Sequence, residues 1–165
     1  MEETAVVLLA AGKGTRMISA RPKLLHDLAG RPLGLWIVGT ALALRPGRLV
    51  VVVGHGREEF GAAVRSRFPG APVSFALQRE QLGTGHALRC GLARVPRSAR
   101  RVLVLYGDTP LVPGALLMNL AARRRCLRAP LAMVVSTLDD PAGYGRIVRD
   151  ARDRVARKLA ALPRA

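Results

Sequence analysis

Ala5-Val6-Val7-Leu8-Leu9-Ala10-Ala11-Gly12-Lys13-Gly14-Thr15-Arg16 is the stretch on which the fold turns. Seven apolar residues without polar alternation, ending in a glycine turn, read as a strand buried on both faces, which is the habit of parallel sheets. Working outward, Leu33 to Leu44 reads as a helix ended by Pro46-Gly47, and Leu49 to Val53 as a second strand stopped at Gly54. Glu58 to Phe68 is helical in pattern, and Val73 to Leu77 is a short third strand after Pro69-Gly70-Ala71-Pro72. A helix is expected over Gly85 to Ala93, behind the Gly83-Thr84 turn. Val102 to Tyr106 makes a fourth strand ending in Gly107-Asp108, followed by a helix over Gly114 to Arg125 and strands over Leu131 to Leu138 and Tyr144 to Val148.

Strands alternating with helices imply an α/β fold, a Rossmann-like three-layer sandwich in which a mostly parallel sheet carries helices on both faces. Parallel neighbours need long crossovers, and those crossovers cover the sheet. Ligands in such sheets bind beyond the carboxyl ends of the strands. That rule puts Ala11-Gly12 and Gly107-Asp108 on one edge. The 165 residues, half of them apolar, suit one domain and leave no room for a second of ordinary size.

Composition narrows the classes. The opening Met-Glu-Glu-Thr is too acidic, and the apolar run behind it too short, for a signal peptide, and no stretch approaches a membrane span. Cys90 and Cys126 form no CxxC pair, which weakens the case for disulfides or zinc and makes a reducing cytoplasm the default. The net charge of +16 raises nucleic acid as a partner. The cations are scattered, however, with Arg123-Arg124-Arg125 the only run of three and few aromatics between them, so a solvated arginine-rich surface is the preferred reading. The three lysines are more informative, because Lys13 and Lys23 both fall in the N-terminal motif.

Glycines in Gly12-Lys13-Gly14-Thr15-Arg16 let backbone N–H groups approach a polyphosphate without Cβ interference. A dinucleotide loop would want a third glycine where Met17 stands, and a Walker loop would want a terminal Gly-Lys-Ser/Thr. Neither is present, and a plain strand-to-helix turn stays open. Arg21-Pro22-Lys23 follows closely, where proline stiffens the backbone that carries a cationic side chain. Further along come Gln78-Arg79-Glu80-Gln81-Leu82-Gly83-Thr84-Gly85-His86-Ala87, Tyr106-Gly107-Asp108 and Asp140-Pro141-Ala142-Gly143-Tyr144-Gly145-Arg146.

Together these five motifs resemble, in block order from Ala5 to Asp150, the pyrophosphorylase domain of the GlmU-type N-acetylglucosamine-1-phosphate uridylyltransferases. These belong to the wider MobA-like nucleotidyltransferase class. The resemblance implies a single nucleotidyltransferase domain that forms UDP-N-acetylglucosamine from UTP and N-acetylglucosamine-1-phosphate, releasing pyrophosphate, with Mg²⁺ as cofactor. Carried over residue by residue, Leu9, Ala10, Ala11, Gly12 and Gly14 lie along the nucleotide, and Arg16 and Lys23 act on its phosphates. Gln78 meets the uracil edge, to which an amide offers both donor and acceptor, and Gly83 and Thr84 complete the base pocket. Tyr106, Gly107 and Gly145 border the sugar, and Asp108 holds Mg²⁺. A molybdenum-cofactor-type guanylyltransferase is the nearest enzymatic alternative, although that branch reads Ala-Gly-Gly where this chain has Ala10-Ala11-Gly12. A polyanion-binding protein is the remote one.

The chain departs from the family after Ile147. The family's sugar-binding glutamate aligns near Ala160, two later asparagines fall past Ala165, and the acetyltransferase β-helix of the bifunctional enzymes has no counterpart. The expectation is a C-terminally truncated, incomplete domain over residues 1–165 that binds uridine nucleotide and turns it over poorly. Other tempting residues have plainer readings. His26, His55 and His86 lack metal-ligand spacing, Asp139-Asp140 sits in a proline turn, and Cys90 reads as a buried, inert thiol with no neighbouring base.

Overall fold

Strand β1, Thr4–Leu9, is hydrogen-bonded on both sides, and the rest of the architecture follows from that central position. In the computed structural model, which describes residues 3–12, 19, 21–54, 56–152 and 154–159, the chain falls into two units, Met1–Met118 and Asn119–Ala165.

In the first unit, β1 leads through a 3-10 turn at Lys23–Leu25 and a small antiparallel hairpin of β2, Asp27–Leu28, and β3, Arg31–Pro32, into helix α1, Leu33–Ala43. There follow β4, Arg48–Val53; α2, Arg57–Arg67; β5, Val73–Leu77; α3, Thr84–Leu92; and β6, Arg101–Tyr106. Helix α4, Gly114–Cys126, runs from the first unit into the second. The sheet order is β5-β4-β1-β6, with every pair parallel.

The chain thus steps outward from β1 to β4 to β5 and then returns past β1 to β6. Crossovers between parallel strands keep one hand, so reversing the direction of travel moves the connecting helix to the other face. The packing agrees. Val6 and Leu8 of β1, with Leu49, Val51 and Val53 of β4, pack in one cluster with Ile37, Val38 and Ala41 of α1, Phe60 and Val64 of α2, and Leu117 of α4. Val7, Val50 and Val52 face the opposite side beside Ala76 of β5, and Ala87 of α3 packs against them there. Helices lie on both faces, and the expected three-layer sandwich is what forms.

Val6, Val7 and Leu8 are all completely buried. Successive residues on a strand point to opposite faces, so only a sheet covered on both sides uses three such residues in a row. Each contributes about 1.5–3 kcal/mol of burial. The β2–β3 hairpin turns through Ala29 and Gly30, both at positive φ, as a two-residue turn of type I′ requires. The Trp36 indole N–H donates to Leu28 O at 2.9 Å, and Arg31 stacks over its ring at 4.4 Å.

The second unit contains the end of α4 and an antiparallel pair, β7, Arg146–Arg149, and β8, Val155–Leu159. Two strand expectations need correction there. Residues 131–138 form no strand. An apolar run becomes a strand only where a neighbour supplies ladder hydrogen bonds, and Leu131, Val134 and Val135 are instead exposed. The strand expected from Tyr144 begins at Arg146, because Tyr144 N–H closes a turn onto Pro141 O at 3.0 Å with Gly143 at positive φ.

Candidate functional site

The sheet order reverses between β1 and β6, and the crevice of a doubly wound sheet opens at such a reversal, beyond the strands' carboxyl ends. Register brings Leu9 opposite Tyr106, and Gly107 N–H donates to Leu9 O at 2.8 Å. A Cβ on Gly107 would lie 3.2 Å from Leu9 O, 3.4 Å from the Ala10 Cα and 3.0 Å from a Leu24 methyl carbon. A side chain there would crowd both segments, so glycine suits this close approach.

Above that contact lies a cavity of about 410 Å³, within the usual range of small-molecule sites. The end of β1 contributes Leu9, Ala10, Ala11 and Gly12, and the 3-10 turn contributes Lys23 and Leu24. The segment from β5 into α3 contributes Gln78, Gln81, Gly83, Thr84 and Ala87, and the end of β6 contributes Tyr106, Gly107 and Asp108.

Lys23 is set in place by its own turn. Leu25 N–H donates to Pro22 O at 2.8 Å, and the buried Leu24 and Leu25 anchor the turn to the core. That leaves the lysine on the crevice side, with its Nζ 3.1 Å from Asp108 Oδ2. Asp108 follows the Gly107 contact directly and remains half exposed, while the Thr109 hydroxyl donates to Tyr106 O at 2.9 Å and shapes the same turn. Among the described residues no group of three or more His, Cys, Asp or Glu comes together as a ready-made metal cage. A half-exposed carboxylate that lines the cavity does fit Mg²⁺, which takes one or two carboxylates and completes its shell with substrate phosphates and water.

Gln78 is buried. Its backbone N–H continues the β4–β5 ladder to Val53 O at 2.8 Å, and its side-chain Nε2 lies 3.2 Å from Gly83 O and 3.1 Å from His86 Nδ1. The same Nδ1 lies 3.0 Å from Glu80 O. A ring nitrogen offers either a proton or a lone pair, so it serves one of these neighbours at a time. His86 thus contacts Gln78, which lines the cavity, without lining it itself.

Of the residues singled out in the sequence, Leu9, Ala10, Ala11, Gly12, Lys23, Gln78, Gly83, Thr84, Tyr106, Gly107 and Asp108 gather around this one cavity. Gly14 and Arg16 lie outside the described residues, as do Lys13 and His55. Gly145 is an exposed residue just before β7 in the second unit. Sequence reading missed Gln81, whose Nε2 donates to Ala11 O at 2.6 Å. An amide that contacts a backbone carbonyl leaves no residue-type pattern to find. Cys90 also differs from its reading: it is half-buried, and its Sγ lies 3.7 Å from His86 Nε2, one helical turn away. Asp140 accepts from Ala142 N–H at 2.9 Å, the turn role expected of it, and His26 Nε2 contacts Arg21 O at 3.1 Å.

Known proteins resemble this chain in sequence and in fold. The sequence profile described as the MobA-like NTP transferase domain matches residues 6–164. The bifunctional protein GlmU of Sorangium cellulosum (strain So ce56) is 50% identical over 155 residues, covering 92% of this chain and 33% of that protein. The chain thus spans about a third of the length of the curated relatives it matches. Among solved structures, UDP-glucose pyrophosphorylase complexed with UDP-glucose matches with a TM-score of 0.76 at 17% identity, covering 97% of this chain and 69% of that one. Rv0371c of Mycobacterium tuberculosis H37Rv in complex with manganese matches with a TM-score of 0.57 at 24% identity, covering 72% and 58%. These two likenesses speak for the fold. The profile match, running through nearly the whole sequence, carries the assignment: the chain belongs to the MobA-like NTP transferase domain family.

Proposed function

We propose that the chain is a single nucleotidyltransferase domain that transfers uridylate from UTP to N-acetylglucosamine-1-phosphate, giving UDP-N-acetylglucosamine and pyrophosphate. The observation that carries this reading is the gathering of Gly12, a lysine, a buried glutamine and an aspartate at the β1–β6 reversal. Half-identity to a GlmU protein along nearly the whole chain supports the choice of substrates. The profile match through both units supports reading them as one domain.

In this reading Leu9 to Gly12 run beneath the nucleotide, and backbone N–H groups of the glycine turn, including Gly14, meet its phosphates. Gln78, Gly83 and Thr84 bind the uracil. Lys23 and Arg16 hold the triphosphate and balance the charge that develops on it, and Tyr106, Gly107 and Gly145 border the sugar. Asp108 holds a divalent cation, Mg²⁺ by its hard oxygen chemistry, and a solved relative of the same fold in complex with manganese supports a divalent ion. That ion, when bound, supplies electrophilic stabilisation of phosphate charge.

An oxygen of the sugar phosphate forms the new bond to the α-phosphorus as the bond to the bridging oxygen breaks and pyrophosphate leaves. The attacking phosphate is already ionised near neutral pH, so no side chain need take a proton. The chain's task is alignment and charge stabilisation.

Calorimetric titration with UTP and with GTP, each with and without Mg²⁺, followed by a pyrophosphate-release assay with N-acetylglucosamine-1-phosphate, tests the proposal. Mg²⁺-enhanced UTP binding with sugar-phosphate-dependent pyrophosphate release is expected. A preference for GTP would move the chain to the guanylyltransferase branch, and no binding of either nucleotide would overturn the reading.

A further inference from the structure

The geometry points to Gln81 as a positioning residue that orients the peptide between Ala11 and Gly12 so that the Gly12 N–H is presented to the phosphates of the nucleotide. This rests on the nucleotide-binding reading of the cavity. The contact that carries it spans 70 positions of sequence: the Gln81 Nε2 donates to the Ala11 carbonyl at 2.6 Å.

Three features make that contact more than a surface tie. The first is covalent. No peptide bond among the described residues is cis, and in a planar trans peptide the carbonyl of one residue and the N–H of the next point in opposite directions. Fixing the Ala11 C=O toward Gln81 therefore fixes the Gly12 N–H away from it.

The second is conformational. Gly12 has no Cβ to restrict it, and among the described residues nothing lies within 4 Å of where a Cβ would be, so this peptide plane would rotate at low cost if it were left alone. A glycine turn that meets phosphates through its backbone must hold its N–H groups fixed before the ligand arrives, since an unfixed donor adds its ordering cost to binding.

The third is steric. A Cβ on Gly54 would lie 2.9 Å from the same carbonyl oxygen, Ala11 O. The carbonyl thus lies close to the residue that follows β4 as well as to the Gln81 amide. Ala10 N–H is bonded to Val52 O at 2.9 Å, which ties the residue before this peptide to the sheet. Gln81 supplies a tie to the peptide itself, beyond the last residue of β1.

Gln81 itself is exposed, so replacing it leaves the core intact. The test uses Gln81→Ala and Gln81→Met, the second keeping the length of the side chain without its donor. Each is titrated beside the wild-type chain with uridine, UMP and UTP at fixed Mg²⁺, and the melting temperature is recorded. We expect the loss to grow with phosphate number. Uridine affinity should stay within error, UTP affinity should fall about 3- to 10-fold, as for one lost hydrogen bond, and melting should be little changed.

A loss that is equal for uridine and UTP would make Gln81 a base contact or a purely structural residue and overturn the proposal. So would unchanged UTP affinity in both variants. Failure of the wild-type chain itself to bind UTP would overturn the nucleotide reading and this inference with it, whereas wild-type binding with no phosphate-dependent loss would sink the inference alone.

Discussion

Lys23 and Asp108, 85 positions apart in sequence, meet across the crevice with Nζ 3.1 Å from Oδ2. The pair is partly solvated, so it adds about 1 kcal/mol or less to stability. Lys23→Ala should therefore leave the melting temperature nearly unchanged. Loss of a charge-assisted contact to the triphosphate costs about 1.5–3 kcal/mol, so UTP affinity should fall by about one to two orders of magnitude. Calorimetry on both proteins checks this, and equal affinities would remove Lys23 from the site.

Asp108→Asn keeps the shape of the side chain and removes its charge. The variant should fold normally and lose most of the enhancement of UTP binding by Mg²⁺. Titration of UTP at several Mg²⁺ concentrations reads this directly. An unchanged enhancement would leave Asp108 as a partner of Lys23 and nothing more.

Gly107→Ala places a Cβ against Leu9 O and the Ala10 Cα, and backbone atoms cannot yield as a flexible side chain can. Overpacking of this kind costs about 1–3 kcal/mol. It should lower the melting temperature and weaken nucleotide binding together, since the same contact holds the two lips of the crevice. Thermal melting and UTP titration of one preparation test the coupling.

In the second unit, Asp150 Oδ1 accepts from the Arg154 and Arg152 backbone N–H groups at 2.9 Å each, and Oδ2 accepts from Arg154 Nε at 2.8 Å. The Arg154 backbone N–H, and then its side chain, hold the carboxyl below its ordinary value of 3.8. A depressed folded pKa means that the stabilisation is fully present above the unfolded value and is lost as pH falls through the folded one. Asp150→Ala should thus reduce hydrogen-exchange protection in β7 near neutral pH, with the difference shrinking in strong acid. A gap that persists in acid would show that the turn does not depend on the carboxylate.

Much of this was legible in the sequence for a definite reason. Strands buried on both faces announce themselves as unbroken apolar runs, and Val6-Val7-Leu8 and Leu49 to Val53 left few other readings. The crevice was legible because residues at strand ends fall on one edge of a parallel sheet. Leu131 to Leu138 misled by the same logic in reverse, since composition signals burial but does not supply a pairing partner. Strand β8 was missed because its Arg157-Lys158 breaks the apolar pattern. Gln81 escaped because its target is a carbonyl, which every residue has.

The parallel pairing of β1 with β6 has a further consequence, for the order of events during folding. Contacts between segments distant in the chain form late, because closing the intervening loop costs entropy before any contact repays it. The pairings β1–β4 and β4–β5 join nearer neighbours and can assemble while β6 is still unplaced. Leu9 meets Tyr106 only when β6 docks, and Lys23 finds Asp108 only after that. A nascent or partly refolded chain would therefore possess much of its sheet while lacking a ligand site. Nucleotide added during refolding should act on the final docking step and leave the earlier collapse untouched.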